Sequence, residues 1–150
     1  MLKTFEIKLI GKVGEDKVRE LSAFPLEEHV QYIPYVPHAE VTKLQQSAHI
    51  LILPLESSTP VLTGKFFEYL GSGSDILALG NPSTNFEVKD ILADSKNSIF
   101  LHYDDKSGIK SFIKEKYLNP PENDSKDFKI KQFSRKSLTG ELVGILDGMI

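Results

Sequence analysis

Five short apolar runs, each followed by a stretch with helical spacing, limit this chain more than any other feature. The runs are FEIKLIG (5–11), VQYIPYV (30–36), HILILPL (49–55), DILALG (75–80) and SIFLHY (98–103). In the first, Phe5, Ile7 and Leu9 alternate, and Gly11 ends it. Pro34 interrupts the second, which marks a strand end or a bulge. The third is continuously apolar, as suits a parallel strand covered on both faces. The segments between read as helices: EDKVRELSAF, HAEVTKLQQSA, GKFFEYLGS, TNFEVKDILADS and DKSGIKSFIKEKY. In the second of these Val41, Leu44 and Ala48 are three and four apart. Thr84 and Glu87 have the capping-box spacing. Ile109, Phe112 and Ile113 share one side of the fifth. A closing segment, FSRKSLTGELVGILDGMI, places Leu138, Leu142, Ile145 and Met149 on one helical face, although Gly140 and Gly144 weaken it as an isolated helix.

Strand–helix alternation at this spacing means βαβ units, and their crossovers give an α/β fold with a doubly wound, Rossmann-like parallel sheet. Ligands of such sheets bind beyond the carboxyl ends of the strands. The loops to inspect follow residues 11, 36, 55, 80 and 103. A length of 150 residues fits one domain, and 40% hydrophobic with 26% charged residues suits an ordinary soluble core. A net charge of −3 argues against a nucleic-acid-binding domain. There is no cysteine, hence no disulfide framework or thiolate site, and a reducing compartment is the natural reading. No apolar run reaches the roughly 18 residues of a membrane span. The N-terminal MLKTFEIKLIG reads as a strand and not as a signal peptide. NPPENDSKD (119–127) is the one linker-like piece.

The chemistry concentrates in the loop after the third run, ESSTPVLTGK, which ends where a helix begins. It is not a P-loop: Thr59 stands where the first glycine belongs, and Phe66 follows Lys65 where a hydroxyl should reach magnesium. Thr63 suits the N-cap, which leaves the amides of Gly64, Lys65 and Phe66 free. Free amides at the positive end of a helix dipole make an anion site, and Lys65 adds a cation. Glu68 is one turn on, placed to accept from two neighbouring sugar hydroxyls. Phosphate at the helix end and ribose one turn in describe the sugar-phosphate part of a nucleotide. The plainer alternative is a solvated Lys65–Glu68 pair, with Gly64 serving only tight helix–strand packing.

The order of these motifs resembles the C-terminal, donor-binding half of a GT-B fold glycosyltransferase, of the large retaining group (group 1 type) that uses nucleotide sugars. FEIKLIGKVGED resembles that domain's second strand and glycine turn. VQYIPYVPHAEVTKLQQSAHILILPL is similar to its next strand, helix and strand, and TGKFFEYLGSGSDILALG to its glutamate-bearing helix, small-residue turn and strand. FSRKSLTGELVGILD resembles its closing helix. The resemblance implies that Thr63, Gly64 and Lys65 meet the donor's phosphates and Glu68 holds the ribose. It implies that Tyr35, Val36 and Pro37 line the base, mainly through their backbone. No cofactor and no metal are implied, the nucleotide sugar being a substrate. Pro60 stands where many members have a second glutamate, and Glu56 is nearby but off register. The resemblance also implies a preceding strand with a basic loop, and an acceptor-binding domain for a glycan or lipid-linked glycan. This chain is then one half of a cleft, without turnover alone, with a sheet edge open to self-association. A cytoplasmic location is implied, or a peripheral one at the inner membrane face.

Other residues attract attention for chemistry they are not placed to do. His29, His38, His49 and His102 lack metal-ligand spacing. His38 stands at a helix start. Asp104 and Asp105 read as a cap and turn. Ser72 and Ser74 form a turn, with no G-x-S-x-G elbow. The basic run KDFKIKQFSRK (126–136) reads as a solvated connector. Two rivals stand beside the glycosyltransferase reading: a non-catalytic regulatory or interaction module on the same fold, and a P-loop phosphotransferase. A receiver-like module needs an aspartate after its third strand, where this chain has LPLESS.

Overall fold

A computed structural model describes residues 5–12, 14–22, 27–56, 58, 62–95, 97–120 and 133–149. Thr59 and Pro60, most of the linker-like piece and residues 126–132 of the basic run lie outside the described residues. The chain divides into two units, Met1–Leu44 and Gln45–Ile150. All strand pairing is parallel, and the strands form two small sheets flanked by helices, an α/β architecture of Rossmann-like kind. A doubly wound sheet would join the five strands; the pairings observed are β1 with β2, and β3 with β4 with β5.

In the first unit, β1 (Ile7–Ile10) pairs with β2 (Val30–Ile33), in register from Ile7 opposite Val30 to Ile10 opposite Ile33. Helix α1 (Glu15–Ser22) carries Glu15 and Asp16 in its first turn and Arg19 in its last, the arrangement its macrodipole favours. Gly11 has φ 119°, a region closed to most side chains, and its amide donates to the Ile33 carbonyl at 2.9 Å. Pro34, without an N–H to continue the ladder, ends β2. Up to Leu44, no residue whose burial is described is buried. Helix α2 (His38–Ser47) contains the division between the units.

The second unit holds the core. Strands β3 (Ile50–Pro54), β4 (Asp75–Gly80) and β5 (Ile99–His102) lie side by side in chain order. Two crossovers of one hand, stepping the same way across a sheet, place their helices on one face. Helix α3 (Gly64–Ser72) and helix α4 (Phe86–Ala93) accordingly share one cluster. Phe66 and Leu70 from α3, and Val88 and Leu92 from α4, pack on Leu53, Leu55, Ile76 and Ala78. Both pairs are four apart, the spacing that keeps two side chains on one helical stripe. Thr63 caps the start of α3, and Gly73 ends it in the left-handed conformation, φ 80°.

Two expected helix details are corrected. The N-cap of α4 is Asn85, not Thr84, and no side chain caps it. The Asn81 carbonyl accepts from both Thr84 and Asn85, at 3.1 and 2.8 Å, so this turn consumes Thr84 and the helix starts later. In α5 (Lys106–Leu118), Ile113 is 42% exposed, whereas Lys116 is only 7% exposed. The cause is Asp75 on β4, whose Oδ2 lies 3.0 Å from the Lys116 ammonium. Asp75 and Leu77 alternate with Ile76 and Ala78, so α5 meets the face opposite to α3 and α4. Closing helix α6 (Arg135–Asp147) has no buried residue; Leu138, Leu142 and Ile145, with Met149 beyond its end, are each at least half exposed.

The Asp75–Lys116 pair yields a stability prediction. Burial pushes the Asp75 carboxyl above the usual carboxylate range, and so does Glu115; Lys116 and His49 oppose that rise. Oδ2 makes no well-directed hydrogen bond, so charge proximity carries the contact. Lys116→Met strands a buried carboxylate and costs roughly 3–5 kcal/mol, while the double variant with Asp75→Leu recovers most of it. A group whose folded pKa is raised contributes stability below its ordinary pKa and loses it as pH rises through the folded value. Removing Lys116 raises that value further. The Lys116→Met penalty is therefore small in mild acid and largest at neutral pH, as urea denaturation at the two pH values will measure.

Candidate functional site

The site is built from the exit of β3 and the start of α3. Thr63 has extended backbone (φ −82°, ψ 151°), and its hydroxyl accepts from the Phe66 amide at 3.4 Å. The Thr63 carbonyl accepts from the same amide at 3.0 Å. The expectation that all three amides are free is thus corrected at Phe66, which spends its N–H on the cap. Among the described residues, nothing is bonded to the amides of Gly64 and Lys65. A side chain added at Gly64 would meet nothing within 4 Å. Tight packing against the described residues therefore does not explain this glycine.

Lys65 and Glu68 stand together on the outer side of α3. Their Nζ and Oε2 atoms are 2.8 Å apart, and both side chains are partly exposed. Such an i,i+3 pair contributes only about 0.2–0.5 kcal/mol. Lys65 also lies 5.8 Å from the centre of the Tyr69 ring. Burial raises the Tyr69 hydroxyl pKa; Lys65 counters this and Glu68 adds to it. That phenol is neutral at physiological pH and can donate.

Thr63, Gly64, Lys65 and Glu68 are therefore brought together within the first two turns of α3. Tyr35, Val36 and Pro37 belong to the other unit, between β2 and α2. The Pro37 carbonyl accepts from Glu40 and Val41 at 2.9 and 3.1 Å. That acceptor is thus engaged in opening α2. Tyr35 is 85% exposed and presents its whole ring.

The structure also brings in residues that local pattern did not single out. At the carboxyl ends of β3, β4 and β5, Asn85 donates to the Glu56 carbonyl at 3.1 Å and accepts from the Asn81 amide at 3.0 Å. The Tyr103 hydroxyl donates to the Leu55 carbonyl. Sequence spacing shows that residues 81–85 turn, but not which loop a carboxamide there will reach. His38 opens α2, and Asp105 caps α5, accepting from the Gly108 amide and the Ser107 hydroxyl. Those hydrogen bonds hold the Asp105 carboxyl below its usual range. Among the described residues, no cluster of three His, Asp or Glu side chains is placed to hold a metal ion. No helix among them is long and apolar enough to cross a membrane.

Lys65→Ala and Glu68→Ala will each change unfolding free energy by less than about 0.5 kcal/mol. Thr63→Ala will cost about 1 kcal/mol through loss of the cap, largely restored in Thr63→Ser. Denaturant titration of the four variants checks both statements. No protein-family model matches this chain, and no curated protein matches it.

Proposed function

We propose that this chain is the nucleotide-sugar-binding domain of a glycosyltransferase of the GT-B, retaining type. The observation that carries the reading is the placement of Lys65 and Glu68 one turn apart, over an unobstructed helix start at the carboxyl edge of a parallel sheet. The amides of Gly64 and Lys65, which bond to nothing among the described residues, receive a diphosphate together with the Lys65 ammonium. The Glu68 carboxylate, released from Lys65 when the phosphate arrives, accepts from the ribose hydroxyls.

In sugar transfer the leaving group is a nucleoside diphosphate, which gains negative charge as the glycosidic bond breaks. A fixed cation and oriented amides stabilise that charge without reorganising. Magnesium has no assigned part, since Phe66, at the position that supplies a metal-binding hydroxyl in a P-loop, is fully buried in the core. The same burial argues against a phosphotransferase. On this reading the complete enzyme passes a sugar to a glycan or lipid-linked glycan acceptor, in the cytoplasm or at the inner membrane face. The acceptor is held by a further domain.

A second reading has one observation in its favour. Lys65 and Glu68 already satisfy each other at 2.8 Å, as they would in a non-catalytic module with no ligand here. Calorimetric titration with UDP, GDP and ADP, with and without magnesium, separates the two. The donor-domain reading expects magnesium-independent binding of one diphosphate, weakened about tenfold in Glu68→Ala. In Lys65→Ala, binding weakens and loses part of its salt dependence. Binding of none of the three, or unchanged affinity in both variants, supports the module.

A further inference from the structure

The loop that carries the candidate anion site is held at its origin by side chains from two other loops. We propose that Asn85, assisted by Tyr103, is a positioning residue that sets the β3–α3 loop and through it the affinity for a nucleoside diphosphate; the affinity part rests on the donor-domain reading. Asn85 is 4% exposed, and both ends of its carboxamide are used: Nδ2 donates to the Glu56 carbonyl and Oδ1 accepts from the Asn81 amide. One residue earlier in the loop, the Leu55 amide donates to the Leu79 carbonyl at 2.8 Å, and the Leu55 carbonyl accepts from Tyr103. The first two carbonyls beyond β3 are thereby taken by side chains from the ends of β4 and β5.

The far end of the same loop is also fixed. Leu62 packs against the core, and Thr63 caps α3. Gly80 shows how closely the arrangement is fitted. A Cβ at that position would lie 2.6 Å from Asn85 Oδ1 and 3.2 Å from the Phe100 ring, so the carboxamide seats only over glycine. A buried carboxamide is costly unless both of its ends are bonded. A hydrophobic residue would fill the space without that cost, but would not tie two loops together. Loss of the Nδ2 donor leaves the Glu56 carbonyl without its partner and loosens the exit of β3, from which the chain continues to the cap of α3.

Asn85→Asp is the informative substitution. It keeps an acceptor for the Asn81 amide, removes the donor to Glu56 and places a carboxylate against a carbonyl. Tyr103→Phe removes the second tie at an accessible side chain and serves if the first variant does not fold. The measurements on each are hydrogen exchange of the Phe66–Tyr69 amides, exchange of the β3–β5 strand amides, and titration with whichever of UDP, GDP or ADP the parent chain binds. We expect faster exchange confined to the first turn of α3, with diphosphate binding about three- to tenfold weaker. Unchanged exchange in that turn, or a uniform rise through β3–β5, overturns the proposal. If exchange rises there while the parent chain binds no diphosphate, the positioning role stands and the donor-domain reading falls.

Discussion

The burial of one aromatic ring, Phe66, orders most of what this structure can do. It is fully enclosed between β3, β4 and α4, and Leu70 follows it one turn later on the same stripe. Together they set the rotation of α3 about its axis. At 100° per residue, a helix that buries positions 66 and 70 turns positions 65 and 68 outward. The outward placement of Lys65 and Glu68 is therefore a consequence of core packing. The ring that fixes this geometry is also the residue that removes the P-loop hydroxyl, so the same side chain positions the site and narrows its chemistry.

Two ion pairs at opposite ends of the three-stranded sheet show how burial changes the meaning of one type of contact. Lys65–Glu68, at the carboxyl end, is partly exposed, and the pair itself contributes little. Asp75–Lys116, at the amino end of β4, is almost wholly buried. Neither charge there can leave without stranding the other, and the pair joins α5 to the sheet. The distances are similar, 2.8 and 3.0 Å. Solvent access separates a weak contact from a structural one.

The carboxyl edge is more highly connected than a simple series of loops. Asn85 and Tyr103 bring the exits of β4 and β5 onto the exit of β3, and Gly80 leaves room for the carboxamide. Parallel sheets gather such exits at one edge, which is why ligand sites form there. Cross-ties among the exits convert neighbouring loops into a fixed rim.

The sequence by itself determined the α/β class, the parallel alternation and the bounds of α3 and β4. Those features rest on local causes: apolar periodicity, the Thr63 cap, and Gly73 in a conformation that glycine adopts freely. It also placed Gly64, Lys65 and Glu68 within the first two turns of α3, because helix geometry alone brings residues three apart together. Only the tertiary structure decided that Lys116 rather than Ile113 faces inward and that Asn85 turns into the rim. It likewise decided that the apolar stripe of α6 lies open and that the strands pair as two and three. The Lys116, Asn85 and strand contacts each depend on a partner distant in the chain, and periodicity along one segment carries no information about whether or which element will face it.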